Sequence, residues 1–398
     1  TVVHFANELI QARFNGLWEG VKMTDVESVV IVDEIKTSSN DYTIGRLTLN
    51  KPKALNALDL EMAGIMLDAL QRWQSRNDIV AVVIDAAGEK AFCAGGDIVS
   101  MYKSMVEANG QIPAFLETFF ETEYTLDYTI HNYSKPIVVW GSGIVMGGGM
   151  GLLCGASHRI VTETSRLAMP EITIGLYPDV GGSYFLPRLP GKAGLFLGLT
   201  GGQMNGSDAC FVGLADSLLA STEKDTLLNT LVEYTWEKTD SESLASSVSH
   251  IINTMKTPEE LLNGNVEPNM ALINDLCSAD NVTDVVHAIL NADMSENKWL
   301  QRAQSTLAKG SPITMHLVFE QCKKGANMTL ADCFRMEADM SCRCGESGEF
   351  QEGVRALLID KDMSPQWKYK TVDEVPQSAI AHFFTSPWAE EQHPLAKL

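Results

Sequence analysis

Apolar residues change their spacing along this chain, and the changes mark out its elements. Val29-Val30-Ile31-Val32-Asp33-Glu34-Ile35 and Ile44-Gly45-Arg46-Leu47-Thr48-Leu49 flank a polar turn, the pattern of a strand and its hairpin partner. From residue 60 to 76 the apolar positions fall at Met62, Ile65, Met66, Ala69, Leu70 and Trp73. That is helical spacing, and Asp59 ahead of it predicts an N-cap. Ala81-Val82-Val83-Ile84-Asp85, Lys135-Pro136-Ile137-Val138-Val139-Trp140 and Arg159-Ile160-Val161-Thr162 predict further strands. The first two run towards glycine-rich turns, Ala94-Gly95-Gly96-Asp97 and Val145-Met146-Gly147-Gly148-Gly149-Met150-Gly151. Strand, turn and helix repeat, which argues for an α/β domain with parallel strands. No Gly-x-Gly-x-x-Gly follows the first strand, so a dinucleotide-binding fold gains no support.

Beyond about residue 190 the strand signals fade. Segments 222–238, 240–256, 258–264, 280–291, 294–308 and 312–324 read as helices or helix pieces, with Pro258, Pro268 and Pro312 as breaks. A further helix starts in 350–358, ahead of a loop-rich tail. The expected organisation is an extension over 1–24, an α/β core over 25–215 and a helical part over 216–398. Met23 is a candidate natural start.

Charge narrows the partners. The 398 residues carry a formal net charge of −21, which disfavours general nucleic-acid binding because phosphate contacts need clustered Lys and Arg. No run of 18 apolar residues predicts a membrane span. The eight cysteines lack the paired spacing of a zinc site, so free thiols in a reducing compartment and no metal are expected. Cytoplasm is the expected location. The closing Ala396-Lys397-Leu398, close to a Ser-Lys-Leu address, makes the peroxisome the alternative. No histidine accompanies a Gly-x-Ser-x-Gly elbow or forms His-Glu-x-x-His, which removes support for a serine hydrolase or a zinc protease.

Two glycine turns can bring bare N–H groups to one point, since glycine tolerates close approach and positive φ. Pro170-Glu171 and Pro178-Asp179-Val180-Gly181-Gly182 supply two acids eight positions apart. Paired N–H donors beside carboxylates are what acyl chemistry needs: an oxyanion hole and a base or nucleophile. Read singly, Glu171 could merely complement a helix N-terminus and Asp179 could merely cap one.

Taken in order, Ala-Gly-Gly-Asp, Met-Gly-Gly-Gly and Pro-Glu resemble the crotonase (enoyl-CoA hydratase/isomerase) superfamily, and Pro178-Asp179 resembles its 3-hydroxyisobutyryl-CoA hydrolase branch. The likeness extends over roughly 28–370, through Asn50-Lys51-Pro52-Lys53-Ala54-Leu55-Asn56 and Glu352-Gly353-Val354-Arg355-Ala356-Leu357-Leu358-Ile359-Asp360-Lys361-Asp362. It implies a crotonase-type spiral of strand-strand-helix units with an extended helical C-terminal part. It implies oxyanion donors at the N–H of Gly96 and Gly148, with Glu171 and Asp179 as catalytic acids that also contact substrate. Glu123 becomes a substrate contact, and Lys53, Ala54, Leu55, Ala94 and Asp97 become coenzyme A contacts. Lys51 joins Lys53 as a candidate phosphate cation. The implied substrate is an acyl-CoA, the implied activity thioester hydrolysis in valine breakdown, with no resident cofactor and a homo-oligomer as a candidate assembly.

One departure matters. Hydratases of the superfamily carry a second glutamate two residues after Gly-Gly-Gly, where this chain has Gly151. Adding water across C=C calls for two acids, so hydration is disfavoured; Gly151→Glu would supply the second acid, in a low-dielectric site shared with Glu171 whose titration it would perturb. A hydratase or isomerase acting on another acyl-CoA, and a non-catalytic acyl-CoA-binding protein, are the rival readings.

Overall fold

The computed structural model describes residues 28–398 apart from positions 238 and 261, so the extension expected over 1–24 lies outside the described residues. Nine strands occur among the described residues: β1 (Val30–Lys36), β2 (Thr43–Leu49), β3 (Ile79–Ala86), β4 (Ala91–Cys93), β5 (Ile137–Gly141), β6 (Ile144–Met146), β7 (His158–Thr162), β8 (Arg166–Ala168) and β9 (Ser217–Leu219). β1 and β2 form the expected antiparallel pair, Val30 opposite Leu49 and Lys36 opposite Thr43. The larger sheet runs β1-β2-β3-β5-β7-β9, parallel from β2 onward. All eight residues of β3 are buried, as in a sheet covered on both faces; the run is apolar except for Asp85, which pairs with Arg46 and Lys224.

A second sheet, β4-β6-β8, is parallel and only three strands wide. Its strands end side by side and release Ala94-Gly95-Gly96, Gly147-Gly148 and Met169-Pro170-Glu171. Three residues are too few to show a two-residue alternation, so the glycine turns were legible and the sheet that aligns them was not.

The first helices follow the pattern. α1 (Leu60–Gln74) buries Met62, Met66, Ala69, Leu70 and Trp73, and Asp59 caps it by accepting from the Met62 N–H at 2.8 Å. α2 (Ile98–Ala108), α3 (Ala114–His131) and α4 (Gly148–Gly155) complete the core's first half.

α5 (Ala193–Thr200), α6 (Gly206–Phe211), α7 (Lys224–Glu233) and α8 (Ser241–Ile252) come next. The helix piece expected over 258–264 is irregular in its described residues: the carbonyls of Leu262 and Asn263 accept from the side chains of Ser207 and Asn205 instead of from a following turn. Pro268 is no break either. It lies in the first turn of α9 (Val266–Leu276), where a missing N–H has no intrahelical partner to lose. α10 (Val282–Asn291), α11 (Lys298–Lys309) and α12 (Pro312–Gly325) match expectation.

α13 (Leu330–Ser347) was not foreseen, because its buried face carries Glu337 and Ser341 among the apolar residues. α14 (Glu349–Val354) then leads into a π-helical turn, Arg355–Ile359. α13 lies on α3, with Phe334 against the rings of Tyr124 and Tyr128 at 5.7 and 6.3 Å. One hydrophobic cluster runs from Val30 to Leu395, so the helical part shares the core of the spiral.

Contact between the two parts is close enough to test. A Cβ on Gly325, at the end of α12, would lie 1.8 Å from the Ser183 carbonyl oxygen, backbone that cannot step aside. Gly325→Ala is expected to destabilise by about 2–3 kcal/mol, as overpacking does. Gly64→Ala, on α1 with nothing within 4 Å of the new methyl, should stabilise by roughly 0.5–1 kcal/mol. Urea midpoints for the two variants moving in opposite directions would match; equal midpoints would contradict this packing.

Candidate active site

The three strand ends of the small sheet open into a cavity of about 460 Å³. Gly95, Gly96, Gly147, Gly148, Glu171, Asp179 and Val180 line it, with Glu123 from α3 and Leu357 and Leu358 from the C-terminal part. Gly96 is bridged in parallel to Leu58, but the bonds are made by its neighbours. Gly95 accepts from Leu58 N–H and Asp97 donates to the Leu58 carbonyl, each at 2.8 Å, which leaves the Gly96 N–H facing away from that ladder. Gly148 is the first residue of α4, so its N–H has no partner within the helix and sits at the positive end of the dipole. A Cβ on Gly148 would stand 3.7 Å from Gly96 N, so the two amides share one wall.

Gly147 and Gly148 are glycine for steric reasons. A Cβ on Gly148 would meet Glu123 Oε1 at 2.6 Å, and one on Gly147 (φ 49°) would meet Glu171 Oε1 at 3.2 Å. Carboxyls and amides therefore pack against each other with no side chain between them.

Glu171 opens the 3-10 turn Glu171–Ile174, is 5% exposed, and leaves Oε2 without a hydrogen-bond partner among the described residues. Burial, reinforced by the Asp179 charge, pushes its carboxyl well above the usual range. Burial does the same to Glu123, with Asp179, Asp127 and Glu171 adding to it. Asp179, also 5% exposed, does not cap the following helical turn. Its Oδ2 accepts from Tyr124 Oη at 2.7 Å, and Gly181 holds the capping position. Burial raises it from 3.8 to about 6, opposed by the Tyr124 hydroxyl.

The Asp179 turn is strained and clamped. Val180 has φ 51°, a left-handed conformation costly for a β-branched residue. Glu337 of α13 accepts from the N–H groups of Gly181 and Ser183, each at 2.8 Å, and Gln321 of α12 donates to the Pro178 carbonyl at 2.8 Å. Tyr124, Tyr177, Glu337, Ser341 and Asp127, a buried acid beside Gly151, were missed in the sequence. Among those on helices, a buried polar residue at a core position is the one signal that could have found them.

Ala54, Leu55, Ala94 and Asp97 line the cavity mouth, whereas Lys53 lines an adjoining hollow with Pro52 and Asn56. Asn56 anchors that loop: it accepts from Lys51 N–H at 2.8 Å and donates to the carbonyls of Ala87 and Ala91. Asp97 spends its carboxylate on Ser100, capping α2. Lys51 pairs with Asp59 at 2.6 Å, so part of its charge is already met. Leu55 also borders a cleft of about 1090 Å³ that carries Lys90, Arg166, Lys298 and Arg302, none of them ion-paired among the described residues. Among the described residues no three His, Cys, Asp or Glu side chains are arranged to hold a metal ion, and no helix is long and apolar enough to cross a membrane. The Gly151→Glu change also meets an obstacle: a Cβ there would stand 2.6 Å from Asp127 Oδ2 and 2.8 Å from Val180 Cβ.

Residues 44–384 match the family model for enoyl-CoA hydratase/isomerase, and the chain belongs to that family. It is 40% identical over 348 residues to the 3-hydroxyisobutyryl-CoA hydrolase, mitochondrial, of Danio rerio, covering 86% of this chain and 87% of that protein. To the protein of the same name from Homo sapiens it is 36% identical, with 86% of each covered. Among solved structures, an enoyl-CoA hydratase from Rhodobacter sphaeroides matches with TM-score 0.77 and 31% identity over 90% of this chain and 98% of that one. A carnitinyl-CoA dehydratase from Mycobacterium thermoresistibile matches at 0.78 and 32%, covering 90% and 97%. The expected crotonase fold is thus observed. The mitochondrial designation of the curated relatives overturns the cytoplasmic expectation and its peroxisomal alternative, which rested on three terminal residues.

Asp179 predicts a pH signature. A carboxyl raised on folding contributes stability below its unfolded value, and that contribution is lost as pH climbs through the folded one. Here the window lies between 3.8 and about 6. Urea stability is expected to fall across that window in the native chain and to fall less steeply in Asp179→Asn. Equal slopes in the two proteins would show that Asp179 titrates as it does when unfolded.

Proposed function

We propose that this chain is an acyl-CoA thioester hydrolase that converts 3-hydroxyisobutyryl-CoA and water to 3-hydroxyisobutyrate and free CoA, in a mitochondrial setting. The observation that carries the reading is the convergence of Gly96, Gly148, Glu171 and Asp179 on one cavity in a member of this family. The names of the curated relatives support the substrate.

In this reading the thioester oxygen lies between the Gly96 and Gly148 N–H groups, which stabilise the negative charge it gains on attack. Glu171 attacks the carbonyl to give an anhydride, or takes a proton from the attacking water. Asp179 and Glu123 face the acyl group, where the 3-hydroxyl needs a polar partner and the departing sulfur needs a proton. The phosphates of CoA leave past Leu55 towards Lys53. A fold of this kind hosts hydratases as well, so fold alone does not choose the reaction. Gly151, which offers no second acid, favours hydrolysis.

Glu171→Gln should lower kcat for thiol release from 3-hydroxyisobutyryl-CoA by at least about 10²-fold while KM stays nearly unchanged. A single turnover in ¹⁸O-water tests the anhydride route, because label in Glu171 requires water to have attacked the Glu171 carbonyl of an anhydride. The native chain should barely hydrate crotonyl-CoA. Efficient hydration, or wild-type turnover by Glu171→Gln, would overturn the reading.

A further inference from the structure

A row of hydroxyls leads away from Asp179. Tyr124 Oη lies 2.7 Å from Asp179 Oδ2 and 2.8 Å from Ser341 Oγ. Ser341 Oγ lies 2.8 Å from Tyr177 Oη, and Tyr177 donates to the Glu337 carbonyl at 2.7 Å. All these residues are buried. Each hydroxyl owns one proton, so three protons face four contacts. The proton of Tyr177 is committed, because a carbonyl only accepts.

With Asp179 ionised, two protons remain for three contacts, and one pair of oxygens 2.7–2.8 Å apart has no hydrogen between them. With Asp179 neutral the count closes. Asp179 then donates to Tyr124, the reverse of the bond its ionised form accepts, and Tyr124 donates to Ser341, Ser341 to Tyr177 and Tyr177 to the carbonyl, so every contact is a hydrogen bond running one way.

We propose that Tyr124, Ser341 and Tyr177 form a closed hydroxyl chain that holds Asp179 as the neutral acid, which makes Ser341 and Tyr177 positioning residues acting through Tyr124. Burial raises Asp179 while the Tyr124 hydroxyl opposes it, and an Asp179 charge would repel Glu123, Asp127, Glu171 and Glu337 as well as Tyr177 and Cys344.

The proposal rests on the thioester-hydrolase reading and assigns roles within it. Asp179 becomes the proton donor; with its charge removed, Glu171 loses the repulsion that Asp179 adds to burial and becomes the ionised partner. As the C–S bond breaks and its electron pair leaves on sulfur, the Asp179 proton passes to that sulfur. On either route the water consumed brings two protons: the one left on Glu171 restores Asp179, and the other leaves with the product acid on release. Because the chain ends on a carbonyl it carries no proton to solvent; it only turns its hydroxyls to suit the charge on Asp179.

The test is the pH profile of kcat for thiol release by the full chain. Ser341→Ala leaves two contacts and two protons for an ionised Asp179, and so does Tyr177→Phe, if Ser341 then donates to Tyr124. Both should move the basic limb down by about one pH unit, the scale of one net hydrogen bond. Tyr124→Phe strips the anion of its donor and should move that limb up. Limbs that stay in place, or that shift the same way in all three variants, would overturn the proposal even with wild-type hydrolysis intact.

No thiol release by the native chain would sink the hydrolase reading instead. The hydroxyl chain would then be judged by infrared titration of the protonated-carboxyl C=O band that is lost in Asp179→Asn. That band should disappear at lower pH in Ser341→Ala than in the native protein; disappearance at the same pH would overturn the proposal.

Discussion

Five carboxyls share the interior around this cavity with no cation paired to them among the described residues. Glu123, Asp127, Glu171, Asp179 and Glu337 are all buried, and none forms an ion pair among the described residues. Like charges in a low-dielectric space cannot all ionise, so most of these groups must be neutral or be met by fixed dipoles. Glu337 is met by two backbone N–H groups, whereas Asp127 has no hydrogen-bond partner for either oxygen among the described residues. An oxyanion formed beside such groups would be repelled by every one that carried charge. The positive ends of backbone dipoles at Gly96 and Gly148 are the attraction available to it, which is why the glycine turns and the protonation of the acids form a single problem.

The helical C-terminal part is where that problem is solved. α12 and α13 clamp the strained Asp179 turn through Gln321 and Glu337, and α13 supplies Ser341. Leu357 and Leu358 line the cavity. The spiral positions the amides and Glu171, while the added helices set the geometry and proton count of Asp179. Neither half makes the site alone.

How much of this the sequence showed follows from where each signal resides. Gly96, Gly148, Glu171 and Asp179 stand in short, order-dependent motifs, and the structure gathers them on one cavity. β1 to β3 and α1 were legible because one face or both is apolar at a regular period. The small sheet was not, since β4, β6 and β8 are three residues each. α13 was not, since its function requires Glu337 and Ser341 at buried positions, which breaks the apolar stripe that marks a helix. Lys51 looked like a free cation because nothing in a linear reading shows that Asp59 folds back to pair with it.

Gly151 shows how the two parts of the argument meet. Read alone, it is an acid lost from a hydratase, and a restored glutamate would share a low-dielectric site with Glu171. In the folded chain the space its side chain would enter is already taken, by the Asp127 carboxyl on one side and Val180 on the other. Val180 stands there because it follows Asp179 in a turn held at positive φ, and that turn is what presents Asp179 to the cavity. Hence a side chain at 151 and this form of the Asp179 turn compete for one volume. The choice between a second acid on α4 and an aspartate at 179 is steric before it is chemical, and a single substitution at Gly151 cannot reverse it.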